Sequence, residues 1–295
     1  MSDEESRQLD LPDAAVRFRF SGYTDKGAVR RLNEDSFLAA TPIFVVADGM
    51  GGHSFGDRAS AAATAAFLGL DELLPASAAN ILERVRSANA AVLTLTDDTE
   101  HAGAISGTTL SGVAFVSLGA SENYHWMVFN VGDSRIYSWD GRHLEQVSVD
   151  HSAVQELVDA GIITKAEAER HPDRNIVTRA LGADAEVDPD VWLMPAKGRQ
   201  TFLLCSDGLV KELSDDEIAR IIVFHDAEQL RESDSLPMTL AERLGNAAIA
   251  AGGKDNVTVV VVESQLSGVG DAASSEDTVE RGAMSSQLEE TMPRG

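Results

Sequence analysis

Six acidic side chains stand in this sequence where a carboxylate can be put to chemical use. Asp48 ends the apolar run Ile43-Phe44-Val45-Val46-Ala47 and is followed by Gly49-Met50-Gly51-Gly52-His53. A short apolar run bounded by glycine reads as a buried strand, one that carries its acid out of a dry interior to a loop where backbone can approach a ligand closely. Thr201 to Cys205 repeats the device and ends in Ser206-Asp207-Gly208. Asp255 precedes Asn256 and the β-branched run Val257 to Val262, Asp133 follows Gly132 between two strand patterns, and Glu34 and Asp35 stand together upstream of Asp48.

Carboxylates with no thiolate and at most a peripheral imidazole make an all-oxygen site, which suits Mg²⁺ or Mn²⁺ rather than Zn²⁺. Two such ions would turn water into hydroxide at neutral pH and hold both oxygens of an in-line displacement at phosphorus, so hydrolysis of a phosphate ester is the chemistry implied. Arg30, four residues before Glu34, is placed to bind the phosphate bidentately. A nucleotide-binding reading is weaker, because neither G-x-x-x-x-G-K-[ST] nor G-x-G-x-x-G occurs at a strand-to-helix junction. Each residue also has a plainer reading. Asp-Gly and Asp-Asn form turns at strand ends, Gly132-Asp133 suits a hairpin tip, and Arg30 can pair with Glu34 or Asp35 at the surface. Three acids at the ends of apolar strands are harder to dismiss as turns. Cys205, on a buried strand, reads as a small hydrophobe rather than a nucleophile.

The elements that must position these residues follow from periodicity. Val16 to Phe20 alternates as a strand with one wet face, Asp25 to Gly27 is a turn, and Phe37 to Ala40 is a strand. Arg58 to Leu74 and Ala78 to Leu95 read as helices, the second with Ile81, Val85, Ala88 and Val92 at helical spacing. Thr108 to Leu118, Tyr124 to Val131 and Ser134 to Trp139 form a strand meander with turns at Gly132-Asp133 and Asp140-Gly141. Ser152 to Ala160 and Lys165 to His171 are short helices, and Asn175 to Leu181 returns to the sheet. Helices at Asp215 to Val223, capped by Ser214, and Thr239 to Ala250 precede the last strand. Strands and helices are segregated, which argues for α+β with antiparallel sheets and against a doubly wound parallel fold.

Charge and composition narrow the function. The 295 residues carry a formal net charge of −24, of which residues 1–14 and 264–295 hold −4 each, so the body itself is acidic. Such a surface repels nucleic acid and anionic membranes, and neither is expected as a partner. No apolar run approaches the roughly 20 residues that span a bilayer, and the single cysteine fits a reducing compartment, so a cytoplasmic location is expected. Residues 1–14 and 264–295 read as disordered tails around a domain at 15–263.

Taken together, Lys26-Gly27-Ala28-Val29-Arg30, Asn33-Glu34-Asp35-Ser36, Val46-Ala47-Asp48-Gly49-Met50-Gly51-Gly52-His53, Gly107-Thr108-Thr109, Val131-Gly132-Asp133-Ser134-Arg135, Leu204-Cys205-Ser206-Asp207-Gly208-Leu209 and Lys254-Asp255-Asn256-Val257-Thr258 form an ordered set. The set resembles the metal-dependent protein phosphatase 2C family in its bacterial form. The resemblance implies a β-sandwich flanked by helix pairs, four layers in the order αββα. It also implies hydrolysis of phosphoserine and phosphothreonine in proteins with Mn²⁺ or Mg²⁺, by a monomer that opposes a Ser/Thr kinase. By the same resemblance, Asp48 would bridge two metals. Asp207 and Asp255 would complete the protein ligands of the first, Glu34 and the carbonyl of Gly49 would serve the second, and Asp133 with Asp207 would hold a third. Asp35 would hold water beside the ions, Arg30 would bind the phosphate, and residues 150–182 would be a flap near the site. Met50 stands where some members have a histidine proposed as general acid, and His53 lies three residues later. Two rivals remain: a serine hydrolase, from the G-x-S-x-G match at Gly52-His53-Ser54-Phe55-Gly56, and an inactive phosphoprotein-binding relative. Intact acids speak against the second, and Asp48 to Gly51 separates the elbow required by the first from its strand.

Overall fold

The apolar runs of this chain are strands covered on both faces. The computed structural model describes residues 4–12, 14–51, 55–70, 76–97, 107–119, 124–229, 238–268 and 280–281. Its first strands are Glu5–Asp10 (β1), Ala15–Asp25 (β2), Asp35–Ala40 (β3) and Ile43–Met50 (β4). Two helices follow, Gly56–Ala65 (α1) and Ala78–Asp97 (α2). Gly107–Thr108 (β5), Leu110–Ser117 (β6), Tyr124–Val131 (β7), Arg135–Trp139 (β8) and Leu144–Gln146 (β9) lead to two short helices, Ala153–Asp159 (α3) and Lys165–Ala168 (α4). Asp190–Pro195 (β10) and Arg199–Cys205 (β11) precede Asp207–Val210 (α5), Asp215–Gln229 (α6) and Leu240–Ala251 (α7). Val257–Ser267 (β12) and Glu280–Arg281 (β13) are the last strands.

One antiparallel sheet has the order β1-β2-β12-β11-β8-β9, and the other has β13-β10-β7-β6-β4-β3 with β5 beside β4. Alternation along each strand sorts side chains into three apolar layers. Between the sheets, Phe44 and Val46 of β4 meet Phe18 and Phe20 of β2 and Val260 and Val262 of β12. Ile43, Val45 and Ala47 face the opposite way, onto Ile81 and Val85 of α2. On the far side, Val259 and Val261 pack against Ile222 of α6 and Leu244 of α7. The architecture is the expected α+β sandwich with helix pairs outside. Coverage of both faces explains why β4 and β12 read as unbroken apolar runs.

Several elements depart from the sequence reading. The helix expected to reach Leu74 ends at Ala65: Phe67 and Leu68 bond the carbonyls of Thr64 and Ala65 in tight turns, and Gly69 takes φ +79°. Asn175 to Leu181 is not a strand, because its backbone meets the sheets only through single bridges, Leu181 with Thr108 and Val177 with Ser152. Strand β10, which ends in Pro195, is a further six-residue strand that the sequence reading did not assign. Glu5–Asp10, expected to be disordered, pairs along β2 and sets Leu9 against the inter-sheet core, and β12 runs on through Ser264 to Ser267. Main-chain pairing along an existing edge stabilises both segments without needing a strong side-chain pattern. Among the described residues, no helix is long and apolar enough to cross a membrane.

The topology places the candidate acids at one end of the sandwich. Asp48 lies near the end of β4 opposite Asp35 at the start of β3, Asp207 follows β11, Asp255 precedes β12, and Asp133 joins β7 to β8.

Trp126 anchors the inter-sheet layer, its ring centroid 5.0 Å from Phe202, 5.8 Å from Phe115 and 5.9 Å from Phe18. Trp126→Ala is expected to cost about 3–5 kcal/mol of unfolding free energy in a urea titration. A loss below about 1 kcal/mol would mean that the core closes over the deletion.

Candidate active site

The peptide of Asp48 is fixed before its carboxylate does anything. Its N–H donates to Thr109 Oγ1 at 2.9 Å, and its carbonyl accepts from Thr108 Oγ1 and the Thr109 N–H, each at 2.9 Å. Gly107-Thr108-Thr109 is therefore structural, holding the backbone of Asp48 beside the other acids. Thr109 Oγ1 also bonds Ser134 Oγ at 2.7 Å, which ties Asp48 to the turn carrying Asp133. At the next residue, a Cβ on Gly49 would collide with the carbonyl of Gly56, so only glycine allows this approach. The Gly49 N–H donates to the Glu34 carbonyl at 3.0 Å, bringing the Glu34 segment beside the loop.

Asp35 and Asp133 are 7% and 9% exposed. Asp35 Oδ2 accepts from Ser206 Oγ at 2.7 Å, whereas Asp35 Oδ1 is buried without a hydrogen-bond partner, as is Asp207 Oδ1. Burial, reinforced by Asp207 and Asp255, pushes the Asp35 carboxyl up to about 7. Burial with Asp207 and Asp150 does the same for Asp133, also to about 7. Asp48 rises well above the usual carboxylate range through burial and the charges of Asp35, Asp207, Asp133 and Asp255. Burial raises Glu34, and Asp57 and Asp255 add to the effect. Asp255 behaves differently: burial opposes its charge, but Lys211 and Arg30 outweigh burial and hold it below the usual value.

Five sequence-predicted acids, Asp35, Asp48, Asp133, Asp207 and Asp255, thus feel one another's charge, and Glu34 lies beside them next to Gly49 and Gly56. Among the described residues, no three of them close into a ready-made ion cage. Arg30 is present at the cluster, but its partner is Asp255, with Nη2 2.8 Å from Oδ1 and 3.0 Å from Oδ2, rather than Glu34 or Asp35. Lys211 joins them, its Nζ against Asp207 Oδ2 and 2.9 Å from Asp255 Oδ2. His53 and the rest of Gly52-His53-Ser54 lie outside the described residues. The Cys205 thiol is buried and pushed up to about 12 by that burial, which agrees with its reading as an inert hydrophobe.

Sequence reasoning missed the residues that hold the acids in place. Asn256 clamps the Arg30 loop, its Nδ2 donating to the carbonyls of Lys26 at 3.0 Å and Leu32 at 2.8 Å while its Oδ1 accepts from the Glu34 N–H at 2.9 Å. Ser206 Oγ accepts from the Thr258 N–H at 2.9 Å while bonding Asp35. His151 Nδ1 accepts from the Gly132 N–H at 3.0 Å, and Asp150 takes Arg135 in a bidentate pair at 2.7–3.1 Å. Asn256, Ser206 and Asp150-His151 adjoin the acids or turns already singled out, and that adjacency was the available signal. A cavity of about 770 Å³ opens beside the cluster, its lining including Asp133, Asp207 and Lys211 together with Asp150, Arg170 and Arg174.

Residues 28–245 match the family model for protein phosphatase 2C. A serine/threonine protein phosphatase PstP of Mycobacterium tuberculosis is 37% identical over 250 residues, covering 83% of this chain and 45% of that protein. The chain belongs to the protein phosphatase 2C family. It spans about half the length of the mycobacterial PstP, but a serine/threonine phosphatase stp of Listeria monocytogenes, 32% identical over 266 residues, is covered to 98%, with 85% of this chain. The crystal structure of the PstP catalytic domain, in complex with two manganese ions, superposes with a TM-score of 0.70 at 34% identity, covering 85% of this chain and 99% of that one. The acids of this phosphatase 2C chain therefore stand in a fold whose solved relative binds two cations.

The donor set fits hard divalent ions: carboxylates converge, two of their oxygens are buried without partners, and burial, reinforced by charge repulsion, drives several toward protonation. Asp35 and Asp133 titrate near 7 when folded and near 3.8 when unfolded, so the stability they contribute is complete below the lower value and lost as pH rises through the higher. In chelator, the melting temperature is expected to fall between about pH 5 and pH 8, and saturating Mn²⁺ to remove the fall. His225, held below its usual value by burial, acts in the opposite sense over this range, so Asp35→Asn isolates the carboxyl contribution by making the fall shallower. The same pH dependence in Asp35→Asn would show that Asp35 does not take up the proton.

Proposed function

We propose that this chain is a metal-dependent protein phosphatase that hydrolyses phosphoserine and phosphothreonine in other proteins. The observation that carries the reading is the convergence of Asp35, Asp48, Asp133, Asp207 and Asp255 at one end of the sandwich, with Asp35 Oδ1 and Asp207 Oδ1 unpartnered and Asp133 and Asp207 lining an open cavity. Asp48 would bridge two Mn²⁺ or Mg²⁺ ions, with Asp207 and Asp255 on the first, Glu34 and the Gly49 carbonyl on the second, and Asp133 with Asp207 available to a third. Such ions, when bound, supply an acidified water and charge neutralisation at phosphorus.

The chain's own residues do the rest. Asp35, anchored by Ser206 on one oxygen, keeps the other free to orient water. Arg30, 49% exposed at the rim, can turn its guanidinium from Asp255 to a phosphate and bind it through two N–H groups. The Asn256 clamp fixes the loop from which Arg30 reaches. The acidic body disfavours nucleic acid, and the physiological setting we infer is a cytoplasmic monomer working against a Ser/Thr kinase.

Activity toward phosphoserine, phosphothreonine and phosphotyrosine peptides, measured with Mn²⁺ and with chelator, tests the reading. Hydrolysis of the first two that disappears in chelator is expected, and full activity in chelator would point to serine hydrolase chemistry instead. Loss of an outer partner of a metal ligand typically costs roughly 10–100-fold, so Asp48→Asn and Asp207→Asn, which alter the ligands themselves, should cost more than about 100-fold in kcat/KM. Wild-type rates in either variant would refute their roles. Arg30→Ala should raise KM by roughly 10–100-fold with a smaller change in kcat, since it removes charged hydrogen bonds made to the phosphate before reaction. An unchanged KM would show that Arg30 does not hold the substrate.

A further inference from the structure

Lys211 follows α5 by one residue and stands four positions after Asp207. A lysine four residues after an aspartate on a helix is ordinarily a weak surface pair. Here it does more, because the same ammonium reaches Asp255, 44 residues away in sequence, at 2.9 Å. The lysine side chain is 35% exposed, whereas those of Asp207 and Asp255 are only 17% and 16% exposed. Its charge also acts on Asp133 across the cavity wall.

The occupied oxygens matter. Asp207 presents Oδ2 to Lys211 and keeps Oδ1 unpartnered. Asp255 has no such spare atom: Oδ2 accepts from Lys211 and Arg30, and Oδ1 from the Asn256 N–H at 2.9 Å while also pairing with Arg30. A cation that takes both carboxylates must therefore displace basic side chains. Arg30 contacts Asp255 from the rim, but Lys211 spans both acids.

We propose that Lys211 is the internal counter-ion of the acid cluster, and that a divalent cation loads by displacing its ammonium from Asp207 and Asp255. This rests on the reading of those two acids as ligands of one ion. Loading is then an exchange of one cation for another. Lys211 offsets carboxylate repulsion before the exchange and weakens ion affinity by having to be displaced.

The test is calorimetric titration of the full chain, stripped with chelator, with Mn²⁺, together with melting temperatures in chelator. Lys211→Met should bind its tightest Mn²⁺ roughly tenfold or more tightly than wild type, since charged hydrogen bonds no longer compete, and should melt at a lower temperature in chelator. Lys211→Arg, which keeps the charge, should stay near wild type in both. Lys211→Gln serves as the uncharged variant if Lys211→Met does not fold without metal, with circular dichroism as the check. Equal or weaker Mn²⁺ affinity in the folded uncharged variant overturns the inference while leaving the two-ion reading intact. Absence of Mn²⁺ binding by wild type and every variant overturns both.

Discussion

The constraint on which this structure turns is repulsion among carboxylates gathered at the end of a dry sandwich. Placing like charges together in a poorly solvated region is costly, and a protein meets that cost by protonation, by basic partners or by a bound cation. The first two devices are visible in the chemistry of this cluster, and the third has oxygens to receive it. Asp35 and Asp133 titrate near 7, Asp255 is held ionised by Lys211 and Arg30, and two buried carboxylate oxygens are without partners. The rest of the fold holds the acids together despite this repulsion. Strands β4, β11 and β12 run through the apolar layers before or after their acids, so Asp48, Asp207 and Asp255 are anchored by burial of Val46, Leu204 and Val260.

A second framework, made of small polar residues, governs how the acids sit relative to one another. Thr109, Ser111, Asn130 and Ser134 are fully buried, and Ser111 Oγ shares its one proton between the Ser134 carbonyl at 2.9 Å and Asn130 Oδ1 at 2.5 Å. Asn130 Nδ2 in turn donates to the carbonyls of Gly132 at 3.0 Å and Val149 at 3.1 Å. Through Thr109 this network connects the Asp48 peptide to the turn of Asp133. Buried and satisfied hydrogen bonds fix geometry more narrowly than apolar contacts do, because each has a preferred direction and a high cost if broken. That suits a site in which oxygens must converge on a small ion.

What the sequence made readable was what depends on neighbours in the chain. Asp48 and Asp207 stand out because an apolar run, an acid and a glycine are adjacent, and the α+β class follows from the segregation of periodic segments. What it hid depends on partners far away. Arg30 is beside Glu34 and Asp35 in the chain, yet its guanidinium meets Asp255, 225 residues on. Lys211 stands four residues after Asp207 in the chain, and it is the pairing of β11 with β12 that brings Asp255 to it. Strand β1 has no periodicity of its own and exists because β2 offers an edge. The early end of α1 reflects Gly69 at positive φ, which an Ala- and Leu-rich composition masks.

The placement of basic groups matters more here than their number. A chain of net charge −24 opposes an approaching anion at long range, but at physiological salt fields from exposed charges fade over about 8 Å. What an incoming phosphate group feels at the cavity is therefore set by the side chains that line it. There Arg170, Arg174, Lys165 and Lys211 stand among the acids Asp133, Asp150, Asp207, Asp215 and Asp216. An anion is therefore held only where it meets a basic side chain closely, and the neighbouring acids oppose it elsewhere. Such short-ranged attraction penalises anions that cannot reach those basic groups, so the acidic body contributes to selectivity without touching the reacting atoms.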